Sequence, residues 1–202
     1  KRSFQICRKW NWKSYFRLVK ASGLDTAYST KSPDTVAMSF LGITNMGRCI
    51  VLDEKVYNNA SLDTPIAPSD TVQNYIDFLE RNRRAWGMAR NVFVDSADQA
   101  TLTELAKYKR ANPQCLYLFN NAYKQITIID RIMLQLGWMN QNEEAGKKAD
   151  FYIFDSCVNY IRELDVYSWM EKCAACKGCV LRAAIQGNRD NRFFWRICKP
   201  VV

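Results

Sequence analysis

The chain has 202 residues, of which 48% are hydrophobic and 24% are charged, so it fits one globular domain with an ordinary core. No apolar stretch approaches the roughly 18 residues of a membrane span, and no Gly-x-x-x-x-Gly-Lys segment offers a nucleotide-binding loop. Histidine is absent, which excludes Ser-His-Asp and Cys-His catalysis, His-phosphate chemistry and every His-ligated zinc site. Carboxylates, thiolates and lysines remain as the groups available for chemistry.

The net charge of +9 is concentrated at the two ends of the chain. Residues 1–20 carry seven Lys or Arg and no acid, and residues 172–202 carry seven against the single acid Asp190. The segment between them has 15 basic and 19 acidic residues, a net charge of −4. Clustered positive charge indicates a polyanionic partner, most often nucleic acid, although basic ends that are only solvated give the same pattern.

Hydrophobic periodicity and turn residues predict the elements in chain order. A basic, aromatic segment at 1–20 is either a DNA-facing arm or a linker that packs on the domain. A hairpin over 21–52 begins at Gly23-Leu24-Asp25 and continues with strands at 35–43 and 49–52, and a loop follows at 58–70. The remaining predicted elements are a helix from Ser69-Asp70 to about 84, a strand at 91–94, a helix at 101–110, a strand at 115–119, a helix at 123–139, a strand at 151–154 and a helix capped by Asp155 that runs to about 170.

This order, a hairpin first and strand-helix units after it, predicts an α/β fold whose sheet contains some antiparallel strands. The most informative stretch is 91–98, where a buried strand delivers Asp95 just before a helical pattern begins. In open α/β sheets the ligands bind outside the carboxyl ends of the strands. Asp95 is therefore a candidate for the chemistry of this protein.

The chain also carries an ordered set of short motifs. They are Gly23-Leu24-Asp25, Ser32-Pro33-Asp34-Thr35, Val51-Leu52-Asp53-Glu54, Phe93-Val94-Asp95-Ser96-Ala97, Asp130-Arg131-Ile132, Phe151-Tyr152-Ile153, Arg162-Glu163-Leu164 and Tyr167-Ser168-Trp169. Over residues 21–170 this set resembles the C-terminal nuclease domain of tailed-phage terminase large subunits. The resemblance implies an α/β, ribonuclease H-like mixed sheet flanked by helices, in a nuclease domain at 21–202 that follows the arm or linker at 1–20.

The same resemblance implies an endonuclease that cuts double-stranded viral DNA during genome packaging, with two Mg²⁺ or Mn²⁺ ions held by acidic residues. It assigns the three catalytic, metal-binding carboxylates to Asp25, Asp95 and Asp190, the last in a segment where Asn191 replaces the family's His. Two such ions can activate water and stabilise the leaving oxygen, and Mg²⁺ prefers carboxylate oxygens. Asp53 and Glu54, which follow the predicted strand at 49–52, are reserve ligands.

The family further implies double-stranded DNA, a portal protein and a terminase small subunit as partners, an ATPase domain outside this chain, and residence in the cytoplasm of the infected host cell. Because the chain starts at Lys1 with no apolar segment after it, we expect no signal peptide and a longer parent protein. Lys124 and Arg131 lie two turns apart on one predicted helix face and match basic residues of the family. They could hold DNA phosphates, and a solvated helix face is the equal alternative.

Cys173, Cys176 and Cys179 form a Cys-x-x-Cys-x-x-Cys pattern. This spacing suits a structural Zn²⁺ with Cys198 or Cys7 as the fourth thiolate, and iron–sulfur ligation uses similar spacing. Free, reduced thiols are the favoured interpretation, because no secretory signal is present.

Three other functions remain open. The chain could be a DNA-binding module of a packaging motor whose nuclease site is incomplete, or another ribonuclease H-like nuclease such as a recombinase or junction resolvase. A thiolate-metal protein unrelated to nucleic acid is the least favoured. Whether Asp190 reaches Asp25 and Asp95 separates a nuclease from the binding module.

Overall fold

A computed structural model describes residues 4–8, 18–26, 35–58, 62, 64, 66–122, 128–140, 146 and 149–166, and the architecture below concerns these residues. In chain order the elements are β1 (Gln5–Cys7), β2 (Leu18–Asp25), β3 (Thr35–Thr44), β4 (Cys49–Asn58), α1 (Pro68–Trp86), β5 (Asn91–Val94), α2 (Gln99–Ala111), β6 (Leu118–Asn121), α3 (Ile128–Met139), β7 (Phe151–Phe154) and α4 (Val158–Val166).

The strands form one mixed sheet with the order β1-β7-β4-β3-β2-β5-β6. The hairpin strands β2, β3 and β4 pair antiparallel, whereas β5 pairs parallel with β2, and β6 pairs parallel with β5. On the other side β7 pairs parallel with β4, and β1 parallel with β7. Only β3 therefore runs against the other strands of this sheet. The predicted α/β class is confirmed, and the sheet has the mixed, ribonuclease H-like arrangement that the resemblance implies.

Helix α1 packs on one face of the sheet through a buried stripe that includes Tyr75 and Leu79. The Tyr75 hydroxyl donates to Ser22 Oγ at 3.0 Å, and Ser22 in turn donates to the Ser39 carbonyl at 2.7 Å. Near the end of the helix, Trp86 lies 5.4 Å from the ring of Phe154 on β7. The helix thus spans the sheet from β2 to β7. Because strand residues alternate between faces, Leu24 lies on the same face as Ser22, and Asp25 on the opposite one.

Two acids in the middle of β4 hold helices on opposite faces of the sheet. Asp53 Oδ2 accepts hydrogen bonds from Arg81 at 2.6 Å and from Asn82 at 2.8 Å, both on α1. The Glu54 carboxylate accepts from the backbone N–H groups of Asn159 at 2.7 Å and Tyr160 at 2.9 Å, at the start of α4. These amides belong to the first turn of α4, where backbone donors lack partners within the helix. Glu54 therefore caps α4 from a distant strand.

The sequence pattern predicts Ser69-Asp70 as the N-cap of α1 and Asp155 as the N-cap of α4, and both predictions are wrong. The N-cap of α1 is Ala67, which makes no side-chain hydrogen bond, and the helix begins at Pro68 because proline's fixed φ suits the first helical position. Asp155 lies before α4, whose first backbone hydrogen bond runs from the Ile161 N–H to the Cys157 carbonyl. The capping role expected of Asp155 belongs to Glu54.

Other boundaries move by a few residues. The strand predicted at 115–119 lies at Leu118–Asn121, and β4 continues to Asn58 instead of ending at residue 52. Within the segment interpreted as an arm or linker, Gln5–Cys7 forms the edge strand β1, and β2 begins at Leu18. None of the described helices is both long and apolar enough to cross a membrane.

The buried Tyr75 hydroxyl generates the first prediction. Tyr75→Phe removes the donor to Ser22 Oγ inside the core, which should lower the free energy of unfolding by about 1 kcal/mol. Urea denaturation measures the loss. The matched control is Tyr57→Phe on β4, where the half-buried side chain should lose less than about 0.5 kcal/mol. Equal losses in the two variants would contradict the assigned hydrogen bond.

A second prediction concerns Glu54 and pH. Burial raises the pKa of the Glu54 carboxyl above its ordinary value of 4.5, although hydrogen bonds from Asn159 and Tyr160 pull the pKa down. Just above pH 4.5 the folded chain thus keeps a proton that the unfolded chain has lost, so stability falls as the pH rises. Relative to Glu54→Gln, the unaltered chain should lose unfolding free energy as the pH rises from 4.5, as measured by denaturation at several pH values. Glu104→Gln serves as the control, because Glu104 forms an ion pair with Lys107 on the exposed side of α2. A gain with rising pH would show that capping outweighs burial.

Candidate functional site

The site is built where β2 and β5 end side by side. These parallel strands pair from Ala21 with Asn91 to Leu24 with Val94, and the Asp95 N–H donates to the Leu24 carbonyl at 3.1 Å. Neighbouring strands in a sheet lie about 4.8 Å apart. Asp25 and Asp95, one position further on, therefore lie next to each other at the carboxyl edge. Each follows a residue on the α1 face, so strand alternation directs both toward the opposite face.

Both carboxylates are nearly buried. Asp25 is 9% exposed and Asp95 is 2% exposed. Asp95 Oδ1 accepts a hydrogen bond from the Ala97 N–H at 3.1 Å, which fixes the direction of that carboxylate. Two like charges brought this close in a poorly solvated place favour binding of a cation beside them.

The donor set can be tested against a divalent ion on its chemistry. Carboxylate oxygens are the hard ligands that Mg²⁺ and Mn²⁺ prefer, and Mg²⁺ is commonly held by one or two carboxylates with water in its other positions. Asp25 and Asp95 fit that requirement. Within the described ranges, no group of three or more His, Cys, Asp or Glu residues could hold a metal ion. A third carboxylate ligand would have to come from elsewhere in the chain.

Several predicted site residues lie outside the described part of the chain. They are Asp190, Lys124 and the cysteines Cys173, Cys176 and Cys179. Their predicted roles remain predictions. Arg131, the other predicted DNA contact, lies on α3, where burial lowers the pKa of its guanidinium.

The reserve ligands of the sequence analysis do not belong to this site. Asp53 and Glu54 are in the middle of β4, so they do not lie at the carboxyl edge. Their oxygens are bound to α1 and α4, as described above. The predicted end of the strand at residue 52 placed them wrongly, because the acidic and basic residues that continue β4 resemble a solvated turn.

A residue that the sequence analysis did not single out completes the local structure. Asp98 Oδ1 accepts a hydrogen bond from the Thr101 N–H at 3.0 Å and so caps α2. Asp98 Oδ2 accepts from the Thr26 hydroxyl, the residue that follows Asp25. An Asp before a helical pattern does signal a cap. The contact with Thr26 joins positions 72 residues apart, and no local pattern could reveal it.

Some of the charges at the two edges of the sheet are separated along the strand direction. Acids Asp25, Asp95 and Asp98 lie at the carboxyl edge, where α1 and α2 begin. The last turns of those helices, at the opposite edge, carry the basic residues Arg83, Arg84, Lys109 and Arg110. A cation is therefore favoured at the acidic edge, and bases in the last turns also complement the helix dipoles. The net charge of the 21–171 segment concealed this separation.

Comparison with known proteins gives a likeness in structure only. No protein-family model and no curated protein matches the sequence. The large terminase of a thermophilic bacteriophage is 14% identical, with a TM-score of 0.62, over 96% of this chain and 40% of that one. The complex of the same phage terminase with ATP-gamma-S is 15% identical, with a TM-score of 0.61, over 96% and 41%.

The human cytomegalovirus terminase nuclease domain, soaked with Mn and bound to an inhibitor, is 10% identical over 74% of this chain and 69% of that one. Its TM-score of 0.46 is too low to support an argument. This chain spans about 40% of the thermophilic phage terminase. At these identities the likeness establishes a shared fold, so the chain has the ribonuclease H-like fold of part of a phage large terminase.

Proposed function

We propose that this chain is the nuclease portion of a phage-type terminase large subunit, a metal-dependent endonuclease that cleaves double-stranded viral DNA during packaging. The observation that carries the proposal is the pair Asp25 and Asp95, nearly buried at the carboxyl ends of adjacent parallel strands. The fold shared with the large terminase of the thermophilic bacteriophage supports it. Carboxyl ends of strands are where open α/β sheets bind ligands.

The residues that would hold the metal are Asp25, Asp95 and Asp190. Their carboxylates would supply the oxygen ligands of the divalent ions, with Asp25 and Asp95 at the two strand ends and Asp190 as the third acid. Divalent ions at this place supply Lewis-acid stabilisation of a phosphodiester and a water of lowered pKa for hydrolysis. The chain itself keeps the two carboxylates close and poorly hydrated, and Ala97 orients Asp95.

DNA would be held by basic groups of the chain. We propose Lys124 and Arg131 as phosphate contacts, together with the basic segments 1–20 and 172–202. Such contacts give affinity without sequence preference and weaken with salt. The partners would be duplex DNA, a portal protein and a terminase small subunit, in the cytoplasm of an infected cell. The ATPase would lie in a part of a longer protein beyond this chain.

One observation favours a second candidate, a DNA-binding packaging module with an incomplete nuclease site. Within the described ranges no third carboxylate joins Asp25 and Asp95 in a group that could hold a metal ion, and Asn191 stands where the family that the sequence resembles has His. A ribonuclease H-like nuclease of another kind, such as a resolvase, shares the fold and would differ in its DNA substrate.

Plasmid nicking tests the proposal. With Mn²⁺ or Mg²⁺ the unaltered chain should nick the plasmid, and EDTA should abolish nicking. Asp25→Asn and Asp95→Asn should reduce nicking to the EDTA background, because each removes an anionic ligand while keeping the side chain's shape. Asp155→Asn is the matched control, since this exposed Asp follows β7 at the same edge, and it should nick normally.

The outcomes separate the candidates. Loss of nicking in Asp190→Asn as well would make Asp190 the third ligand. If the unaltered chain binds duplex DNA and cuts none in either metal, the nuclease proposal fails and the packaging-module candidate replaces it. A preference for branched over linear duplexes would favour a resolvase.

A further inference from the structure

The two acids of the site are carried on one closed ring of bonds. The Leu24 carbonyl accepts the Asp95 N–H at 3.1 Å, and the Asp95 carbonyl accepts the Asp98 N–H at 3.2 Å. Asp98 Oδ2 then accepts the Thr26 hydroxyl. The chain segment from Leu24 through Asp25 to Thr26 closes the ring. The first two of these hydrogen bonds join backbone groups, whereas the bond between Thr26 and Asp98 joins two side chains.

Asp98 is well placed to hold Thr26 still. Its Oδ1 and its carbonyl are both engaged with α2, by the Thr101 N–H at 3.0 Å and the Leu102 N–H at 3.2 Å. A residue fixed to the first turn of a helix has little freedom of its own. Its second carboxylate oxygen therefore anchors Thr26 to a rigid element. Thr26 is 8% exposed, and a hydrogen bond shielded from water is stronger than an exposed one.

This anchoring matters because Asp25 is the last residue of β2. Beyond Asp25 the strand pairing that holds the backbone has ended. Both Asp98 carboxylate oxygens accept hydrogen bonds, from Thr101 and Thr26, and Asp98 does not form with Asp25 and Asp95 a group of three that could hold a metal. Asp98 is thus suited to orient the ligands.

We propose that Asp98, acting through Thr26, is a positioning residue that sets Asp25 against Asp95 for metal binding. The proposal rests on the proposed function, because it concerns how the same two carboxylates are held. Mutation of a residue that orients a metal ligand typically lowers metal affinity or activity by about 10–100-fold. The consequence is that a substitution at Thr26 changes metal affinity although Thr26 is not one of the proposed ligands.

The experiment measures Mn²⁺ binding to the full 202-residue chain by titration calorimetry. Thr26→Val keeps the shape and removes the hydroxyl, and should raise the Kd about 10-fold. Thr26→Ser keeps the hydroxyl and should bind nearly as the unaltered chain does. Asp98→Ser keeps a capping oxygen for Thr101 but cannot reach Thr26, and should match Thr26→Val. The variant that carries both substitutions should bind Mn²⁺ no more weakly than either single variant, because the two substitutions remove the same hydrogen bond.

Thr103→Val is the matched control. Its hydroxyl also donates a hydrogen bond, to the Gln99 carbonyl at 2.7 Å, but on the exposed side of α2. The Mn²⁺ Kd should not change in this variant. The melting temperature of each variant is also measured in EDTA, so that a loss of fold stability is distinguished from a loss of Mn²⁺ affinity. If Thr26→Val and Asp98→Ser bind Mn²⁺ as tightly as the unaltered chain, the positioning role is wrong and the proposed function stands.

If the proposed function is wrong, even the unaltered chain should bind no Mn²⁺, and the titrations cannot then compare the variants. Hydrogen exchange in EDTA then decides the positioning role. The Asp95 N–H bonds to the Leu24 carbonyl beside Asp25, so its exchange rate reports how firmly the two strand ends are held together. Thr26→Val should speed this exchange about 10-fold, as expected for the loss of one hydrogen bond, and leave the core strand amides unchanged. An unchanged rate at the Asp95 amide would overturn the proposal.

Discussion

The parallel pairing of β2 with β5 is the constraint on which the site depends. A hairpin alone would leave Asp25 at the end of a strand with no acidic neighbour. The crossover through α1 returns the chain to the edge strand of that hairpin and sets Val94 beside Leu24. The next residues in both strands are then Asp25 and Asp95. Their closeness follows from strand register, and the burial of the core strands keeps that register fixed.

The acids near the sheet perform two different tasks. Asp53 and Glu54 bind donors on α1 and α4 and so fasten one helix to each face. Asp25 and Asp95 lie at the carboxyl edge, where strand order leaves them side by side. The same residue type is thus structural in the middle of β4 and a candidate ligand at the strand ends. Position in the sheet decides between these roles, because a mid-strand acid faces a packed helix.

The sequence was sufficient for the features that depend on local pattern. The strands at 91–94 and 151–154 have the predicted bounds, and the α/β class and mixed sheet are confirmed. Asp95 follows the strand at 91–94, as predicted, whereas Asp25, expected at the start of a hairpin, is the last residue of β2. Part of what failed depends on contacts between distant positions. The cap of α4 comes from Glu54, more than 100 residues away, and Thr26 meets Asp98 across the fold. Periodicity and capping rules describe neighbours in sequence and carry no information on such pairs.

Anomalous diffraction from crystals soaked in Mn²⁺ tests the central claim most directly. The account predicts a peak in contact with carboxylate oxygens of both Asp25 and Asp95, at roughly 2.0–2.3 Å, and its loss in crystals of Asp95→Asn. The same map would show whether Asp190 also reaches the ion. A Mn²⁺ peak only at other residues, or none at this edge of the sheet, would contradict the account.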